Sequence, residues 1–177
     1  MKKILVISIG YPHPSKGASS VVFYWYLFAL RLSNYDVTHL LLVPPDEVSG
    51  QDADEYLQAI KPCTHFHVCI AVTPGVRYTT LSGLDLRAAN LIEEALACVW
   101  EAQPEATLCF DIYAAMIARQ AGLPNLLVWL RDLAFQTSLY HSLYDIKSNL
   151  WKLSGLAKSM ASAWLWKRCY RSVLRHE

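Results

Sequence analysis

The sequence predicts a doubly wound α/β fold: a mainly parallel sheet with helices on both faces, in three layers (α/β/α). Three observations carry this. Short apolar runs, "ILVISI", "VTHLLLV", "HFHVCIAV", "ATLCFD" and "NLLVWL", recur along the chain, and they are nearly continuous, as in strands buried on both faces. Stretches with helical spacing separate them, so strand and helix alternate. The chain has 177 residues, of which 54% are hydrophobic. That is enough to bury the core such a sheet needs, and above the ordinary share of apolar residues.

The elements follow in order. Ile4 to Ile9 reads as the first strand, and the loop "GYPHPSKG" after it is dense in turn formers. Ser19 or Ser20 is placed to cap a helix running to about Ser33, rich in aromatic residues and charged only at Arg31. A turn at "NYD" leads to a second strand, Val37 to Val43. Strand, helix and strand form a βαβ unit, right-handed by strong default. Asp46 to Glu55 reads as an acidic surface loop and Glu55 to Lys61 as a short helix. The third strand is His65 to Val72, and a loop, "TPGVRYTTLSG", follows it. A helix from Asp85 to Glu101, starting near Ser82, leads to the fourth strand, Ala106 to Asp111. Ile112 to Gly122 reads as a helix with Gly122 as its C-terminal cap, and Asn125 to Leu130 as the fifth strand. Ser148 to Arg175 is one long helical stretch, interrupted at most by Gly155.

Composition excludes several classes of function. The net charge is +1, so the balance as a whole predicts no polyanionic partner. Its distribution is uneven. Met1 to Ile146 carries 9 Lys+Arg against 14 Asp+Glu, a net of −5, whereas Lys147 to Glu177 carries 7 Lys+Arg against Glu177 alone, a net of +6. No nucleic-acid reading motif accompanies the basic tail, so nucleic acid is not an expected partner. Five scattered cysteines (Cys63, Cys69, Cys98, Cys109, Cys169) form no CxxC pair and read as reduced core thiols of a cytoplasmic protein. In "CTHFHVC", strand alternation spreads Cys63, His65, His67 and Cys69 over ~20 Å at ~3.3 Å per residue. One tetrahedral ion cannot collect them, and no metal site is expected. The apolar run after Lys2 and Lys3 is too short for a secretory signal. The uncharged run Gly17 to Leu30, at 14 residues, falls short of the ~18 needed to span a bilayer.

In an open parallel sheet, ligands bind beyond the carboxyl ends of the strands. Three such ends carry candidate groups. After the first strand come Tyr11, His13, Lys16, Gly17, Ser19 and Ser20. Asp111 follows the fourth strand, and Arg131 and Asp132 follow the fifth. The first loop opens onto a helix N-terminus, where free N–H groups and the helix dipole favour an anion. It matches neither standard phosphate motif: Gly10 and Gly17 are seven apart rather than in GxGxxG spacing, and Lys16 precedes Gly17 instead of following it. Its composition equally suits a serine-capped turn between strand and helix. Arg131 and Asp132 fit either a surface ion pair or a pair in which Asp132 orients a hydroxyl while Arg131 holds a phosphate.

These residues carry a resemblance. "KILVISIGYPHPSKGASSVVFYWYLFALRLSNYDVTHLLLVP" resembles the opening of family 4 glycosyltransferases of the GT-B fold. Those sequences begin with a strand, a loop containing Pro and Gly, a helix, and then G-(H/Y)-(D/E)-V-T. "EATLCFDIYAAMIARQAGLPNLLVWLRDLAF" resembles their later stretch, where "GLP" precedes a strand ending in "HD", and "LWKRCYRSVLRHE" is similar to the basic helix that follows. The resemblance implies one Rossmann-like, acceptor-side domain over residues 1–177, with a long basic helix at 148–177. It implies a retaining transferase acting in surface polysaccharide or glycolipid synthesis, moving a sugar from a nucleotide-sugar donor to a glycan or lipid-linked acceptor. No further cofactor is implied. Gly17 matches a glycine of the family's Gly-Gly pair near the donor phosphates, with Lys16 in place of its neighbour. Arg131 stands in place of the histidine before Asp132, near the reacting sugar. The family's C-terminal nucleotide-sugar domain is not found in the 177 residues, so this chain is expected to need that domain and to be inactive without it. The alternative is a non-catalytic module that binds a nucleotide or a protein partner.

On a helical wheel, Leu150, Leu153, Ala157, Met160 and Trp164 share one face, read as the core stripe. Trp151, Lys152, Lys158 and Trp166 point away from it. Trp166, Lys167, Arg168, Arg171 and Arg175 then suit either contact with an anionic membrane surface at the inner face of the cell membrane or a solvated outer helix whose tryptophans pack on a partner domain.

Overall fold

The computed structural model describes residues 2–43, 48, 50–61, 65–72, 97, 99–100, 103–130, 140, 143–144 and 153–174. Five strands form one all-parallel sheet: β1 (Lys3–Ile9), β2 (Asp36–Val43), β3 (Phe66–Val72), β4 (Ala106–Phe110) and β5 (Leu126–Trp129). Their spatial order is β3-β2-β1-β4-β5. Four helices accompany them: α1 (Ala18–Leu32), α2 (Gln51–Ile60), α3 (Ile112–Gln120) and α4 (Leu153–Leu174). The doubly wound α/β architecture expected from the apolar runs is the one observed.

The alternation of side chains along each strand divides the core into two. Val6, Val37 and Leu41 point to the face covered by α1 and α2, where they meet Phe23, Leu27 and Tyr56. Leu5, Ile7 and Leu40 point to the opposite face and meet Ala114, Ala115 and Ala118 of α3. The small residues of α3 let that helix lie close to the sheet. Cys109, buried between these layers, has its thiol pushed up to about 12 by burial. It is an inert core group.

Two expected boundaries shift. α1 begins at Ala18, and its N-cap is Gly17 rather than Ser19 or Ser20, because the chain enters the helix at φ +69°, where glycine is favoured over serine. α2 begins at Gln51, so part of the acidic stretch read as a loop is helical. Asp52 and Asp54 fall in its first turn, where carboxylates complement the helix dipole, while Ala53 and Tyr56 supply the buried face. Residues 97, 99 and 100 are helical and Val99 is buried. The rest of the expected helix over 85–101 lies outside the described residues.

The face of α4 differs from the wheel reading. Met160 (56%) and Trp164 (61%) are exposed, and Ala157 is exposed with them. Trp166, expected to point away, packs edge-on against Tyr113 of α3 with ring centroids 4.9 Å apart, beside buried Tyr170. The reason is that α4 carries large apolar residues on more than one side, Met160 and Trp164 on one and Trp166 and Tyr170 on another, so periodicity alone does not settle which is buried. The aromatic fit to Tyr113 selects it instead. Trp166 is thus a packing residue rather than an outward contact. Lys167, Arg168 and Arg171 are exposed as expected, and Arg175 lies outside the described residues. No described helix is long and apolar enough to cross a membrane.

Candidate functional site

The order β3-β2-β1-β4-β5 reverses direction between β1 and β4. The chain leaves β1 into α1 on one face of the sheet and leaves β4 into α3 on the other. The loops at the carboxyl ends of β1 and β4 therefore leave toward opposite faces of the sheet. This is the switch point at which open α/β sheets take ligands. The loop after β1 carries Tyr11 to Gly17, and Asp111 follows β4.

The loop is built on backbone geometry. Gly10 turns the chain out of β1 at φ +75°, and its N–H donates to the Leu42 carbonyl at 2.9 Å. At Gly17 a Cβ would meet only the Ser20 Cβ, at 3.9 Å. It is conformation rather than space that requires glycine there. The Val21 N–H donates to the Gly17 carbonyl at 3.1 Å, closing the first turn of α1. The Ser20 hydroxyl donates to the Tyr11 carbonyl at 2.5 Å, and the His13 N–H donates to the Ser20 carbonyl at 3.3 Å.

His13 is the centre of this loop, only 5% exposed. Its Nδ1 accepts the Ser15 N–H at 3.0 Å and the Lys16 N–H at 2.9 Å. With Nδ1 committed as acceptor, the proton of the neutral ring sits on Nε2. From there it is donated to Glu55 Oε2 of α2 at 3.1 Å. Lys16 Nζ donates to Asp52 Oδ1 at 2.5 Å. The hydrogen bond to Asp52 holds the Lys16 ammonium above its ordinary value, against a smaller opposing effect of burial. The same bond holds the Asp52 carboxyl below its ordinary value. His13, Asp52 and Glu55 bring their ligand atoms within 4.8 Å of one another. A divalent ion would need the Nε2 lone pair, but that nitrogen carries the proton and Asp52 already holds an ammonium. As built, the cluster is a hydrogen-bonded clasp rather than a metal cage.

Asp111 follows β4 at φ +102° and ψ 158°, an unusual backbone state for a residue with a side chain. Its carboxylate accepts the Ile112 N–H at 2.5 Å and caps α3, and its own N–H donates to the Trp129 carbonyl at 3.0 Å. β5 ends at Trp129, and Arg131 and Asp132 lie outside the described residues.

The structure therefore sorts the candidates. Lys16 and Gly17 are exposed and Ser19 half-buried after β1, with Lys16 turned to Asp52 of α2, and Asp111 is half-buried after β4. Tyr11 is 8% exposed, with its ring 6.0 Å from that of Tyr56, and is a core residue rather than a ligand contact. His13 and Ser20 shape the loop from within. This correction has a plain cause: the loop folds back over β1 and turns its first residues inward.

Asp52 and Glu55 were hidden in a stretch read as acidic loop. Their spacing of three, which puts both on one face of a helix, was the available signal. A buried chain beneath them was also missed. Ser8 Oγ meets His39 Nε2 at 2.8 Å, and His39 Nδ1 meets the Tyr56 hydroxyl. Burial pushes His39 down to about 3, so its ring is neutral.

Compared with known proteins, the chain matches no family model, and no curated protein matches it.

Proposed function

We propose that this chain is the acceptor-side half of a GT-B sugar transferase, and that the crevice between the β1–α1 loop and Asp111 receives the phosphate-bearing end of a nucleotide-sugar. The observation that carries the reading is the position of Lys16 and the Gly17-opened start of α1 at the switch point of the sheet. A cationic side chain beside a helix N-terminus suits a phosphate. In this reading Arg131 and Asp132, by the resemblance, contact the reacting sugar. Ser19 and Asp111 offer groups to sugar hydroxyls, and a second α/β domain closes the cleft. Transfer passes the sugar from donor phosphate to an acceptor hydroxyl and needs that second domain.

The test is to add nucleoside diphosphates and their sugar conjugates to ¹⁵N-labelled protein. Amide shifts concentrated at Lys16 to Ser20 and at Ile112 are the expected result, lost in Lys16→Ala. Shifts scattered over the surface, or none, would remove the reading and leave a partner-binding module in its place.

A second reading, association with an anionic membrane, is favoured by one observation. The outward stripe of α4 presents Met160 and Trp164, then Lys167, Arg168 and Arg171, with Arg168 5.8 Å over the Trp164 ring. Apolar groups flanked by cations suit an anionic lipid interface. Flotation with phosphatidylglycerol vesicles should carry the wild type upward and leave behind a variant with Lys167, Arg168 and Arg171 changed to Gln. Equal flotation of both would end this reading.

A further inference from the structure

We propose that the outward face of α1 is a pairing seam, and that its occupant is the α1 of a second copy of this chain, lying antiparallel across it.

A surface helix ordinarily turns charged and polar residues outward, and α1 does not. Phe23 and Leu27 face the core. At ~100° per residue, the opposite pole carries Val21, Trp25, Phe28 and Leu32. Val21 and Phe28 are half-buried, whereas Trp25 and Leu32 are 53% and 67% exposed. The four are spaced 4, 3 and 4 apart, the repeat by which one helix seats its side chains between those of another. Their rings are already ordered. Trp25 stands edge-on to Phe28 with centroids 5.5 Å apart, and the Arg31 guanidinium lies 5.1 Å over Phe28. Beside the seam, Tyr24, Phe28, Arg31, Ala59 and Ile60 wall an open groove of about 340 Å³ between α1 and α2. It is a recess for the side chains of a second helix.

The topology narrows the occupant. α1 leaves the carboxyl end of β1 and returns the chain to the start of the parallel strand β2. Phe28 and Leu32 therefore lie toward the amino edge of the sheet, where a second domain closing over the carboxyl edge would not reach them. A membrane surface that meets α4 would not reach them either, because α4 packs on α3 at the opposite face of the sheet.

Charge then fits a second copy. Arg31 is the one charged residue of α1. α2 runs in the same direction as α1, since β2 and β3 are also parallel, and its first turn holds Asp52 and Asp54 at the carboxyl edge. In an antiparallel pair Trp25 faces the partner's Phe28 and Val21 faces the partner's Leu32. Each Arg31 is carried toward the partner's Tyr24 and the acidic turn of the partner's α2. A parallel pair would instead set Arg31 beside the partner's Arg31. A seam one 15-residue helix long, about 22 Å, makes a small interface, so the pair is reversible rather than permanent.

The experiment is sedimentation velocity on the whole chain from about 10 µM to about 1 mM, the range in which a small interface dissociates. Wild type is compared with Trp25→Glu, Leu32→Glu, Arg31→Gln and Trp164→Glu. Trp164 is 61% exposed on α4, so Trp164→Glu makes the same change away from the seam. The urea midpoint of each variant reports its folding, and Leu32→Glu carries the test if Trp25→Glu lowers that midpoint. The seam predicts a wild-type monomer–dimer equilibrium, weakened about thirtyfold in Trp25→Glu and Leu32→Glu. Pairing should also weaken in Arg31→Gln and stay unchanged in Trp164→Glu. A wild type that remains monomeric throughout, or a dimer that survives both seam substitutions, would overturn the proposal. Equal weakening by Trp164→Glu would overturn it too, as would tighter pairing of Arg31→Gln, which marks a parallel pair.

Discussion

α2 is held to the rest of the molecule at two levels that differ in every physical respect. Beneath, Tyr56 meets His39, which meets Ser8, in a chain buried within the sheet's core. Above, Glu55 meets His13 and Asp52 meets Lys16, with both carboxylates about half exposed. The lower level has no water to replace a lost partner, so each bond there is costly to break. The upper level borders solvent and can exchange its partners. One helix is thus anchored by its buried tyrosine and exchangeable at its acidic face.

The comparison can be broken most strongly at His39. His39→Ala removes a fully buried ring and its hydrogen bonds to the Ser8 and Tyr56 hydroxyls. A loss of about 3–5 kcal/mol is expected in urea unfolding, and a loss of less than 1 kcal/mol would show that the lower anchor carries little.

Acid acts on the same anchor. Burial lowers His39 in the folded state from 6.5 to about 3, so between those values the unfolded chain binds the proton and the folded chain does not. The stabilisation is complete above pH 6.5 and falls as the pH drops, by about 1.4 kcal/mol per pH unit. Urea midpoints at pH 7, 5.5 and 4 should therefore decline. A variant with neutral Gln at position 39 should show a shallower decline over the same range.

Smaller effects belong to the upper level. Gly17→Ala forces a side chain into the left-handed region and should cost about 1–2 kcal/mol, read as a lower unfolding midpoint. Asp52→Asn and Lys16→Ala break an exposed pair and should leave the unfolding midpoint unchanged while altering anion binding. A marked drop in stability for either would make the clasp structural rather than adjustable.

Much of this was legible in the residues. "ILVISI" and "ATLCFD" read as buried strands because both faces of a parallel sheet are covered, and the Gly17 loop was placed at a strand's carboxyl end by alternation alone. "VTHLLLV" also read as a strand, but nothing local marks His39 as the neutral centre of a buried chain. Its partners Ser8 and Tyr56 lie 31 and 17 residues away. α4 differs for another reason: it carries large apolar residues on two sides, and Tyr113 on another helix decides which of them is buried.

Local periodicity and the burial of each element suffice for the alternation of strand and helix, and hence for the doubly wound sheet and the edge at which its loops gather. Which side chains meet at that edge depends on the packed fold. The pairing of His13 with Glu55 and of Lys16 with Asp52 joins residues 42 and 36 apart. It exists because the sheet order sets β1 beside β2 and lays α2 over the loop that leaves β1. A hydrogen bond acts over about 3 Å, so no pattern in the chain can announce it until the fold has brought its two ends together.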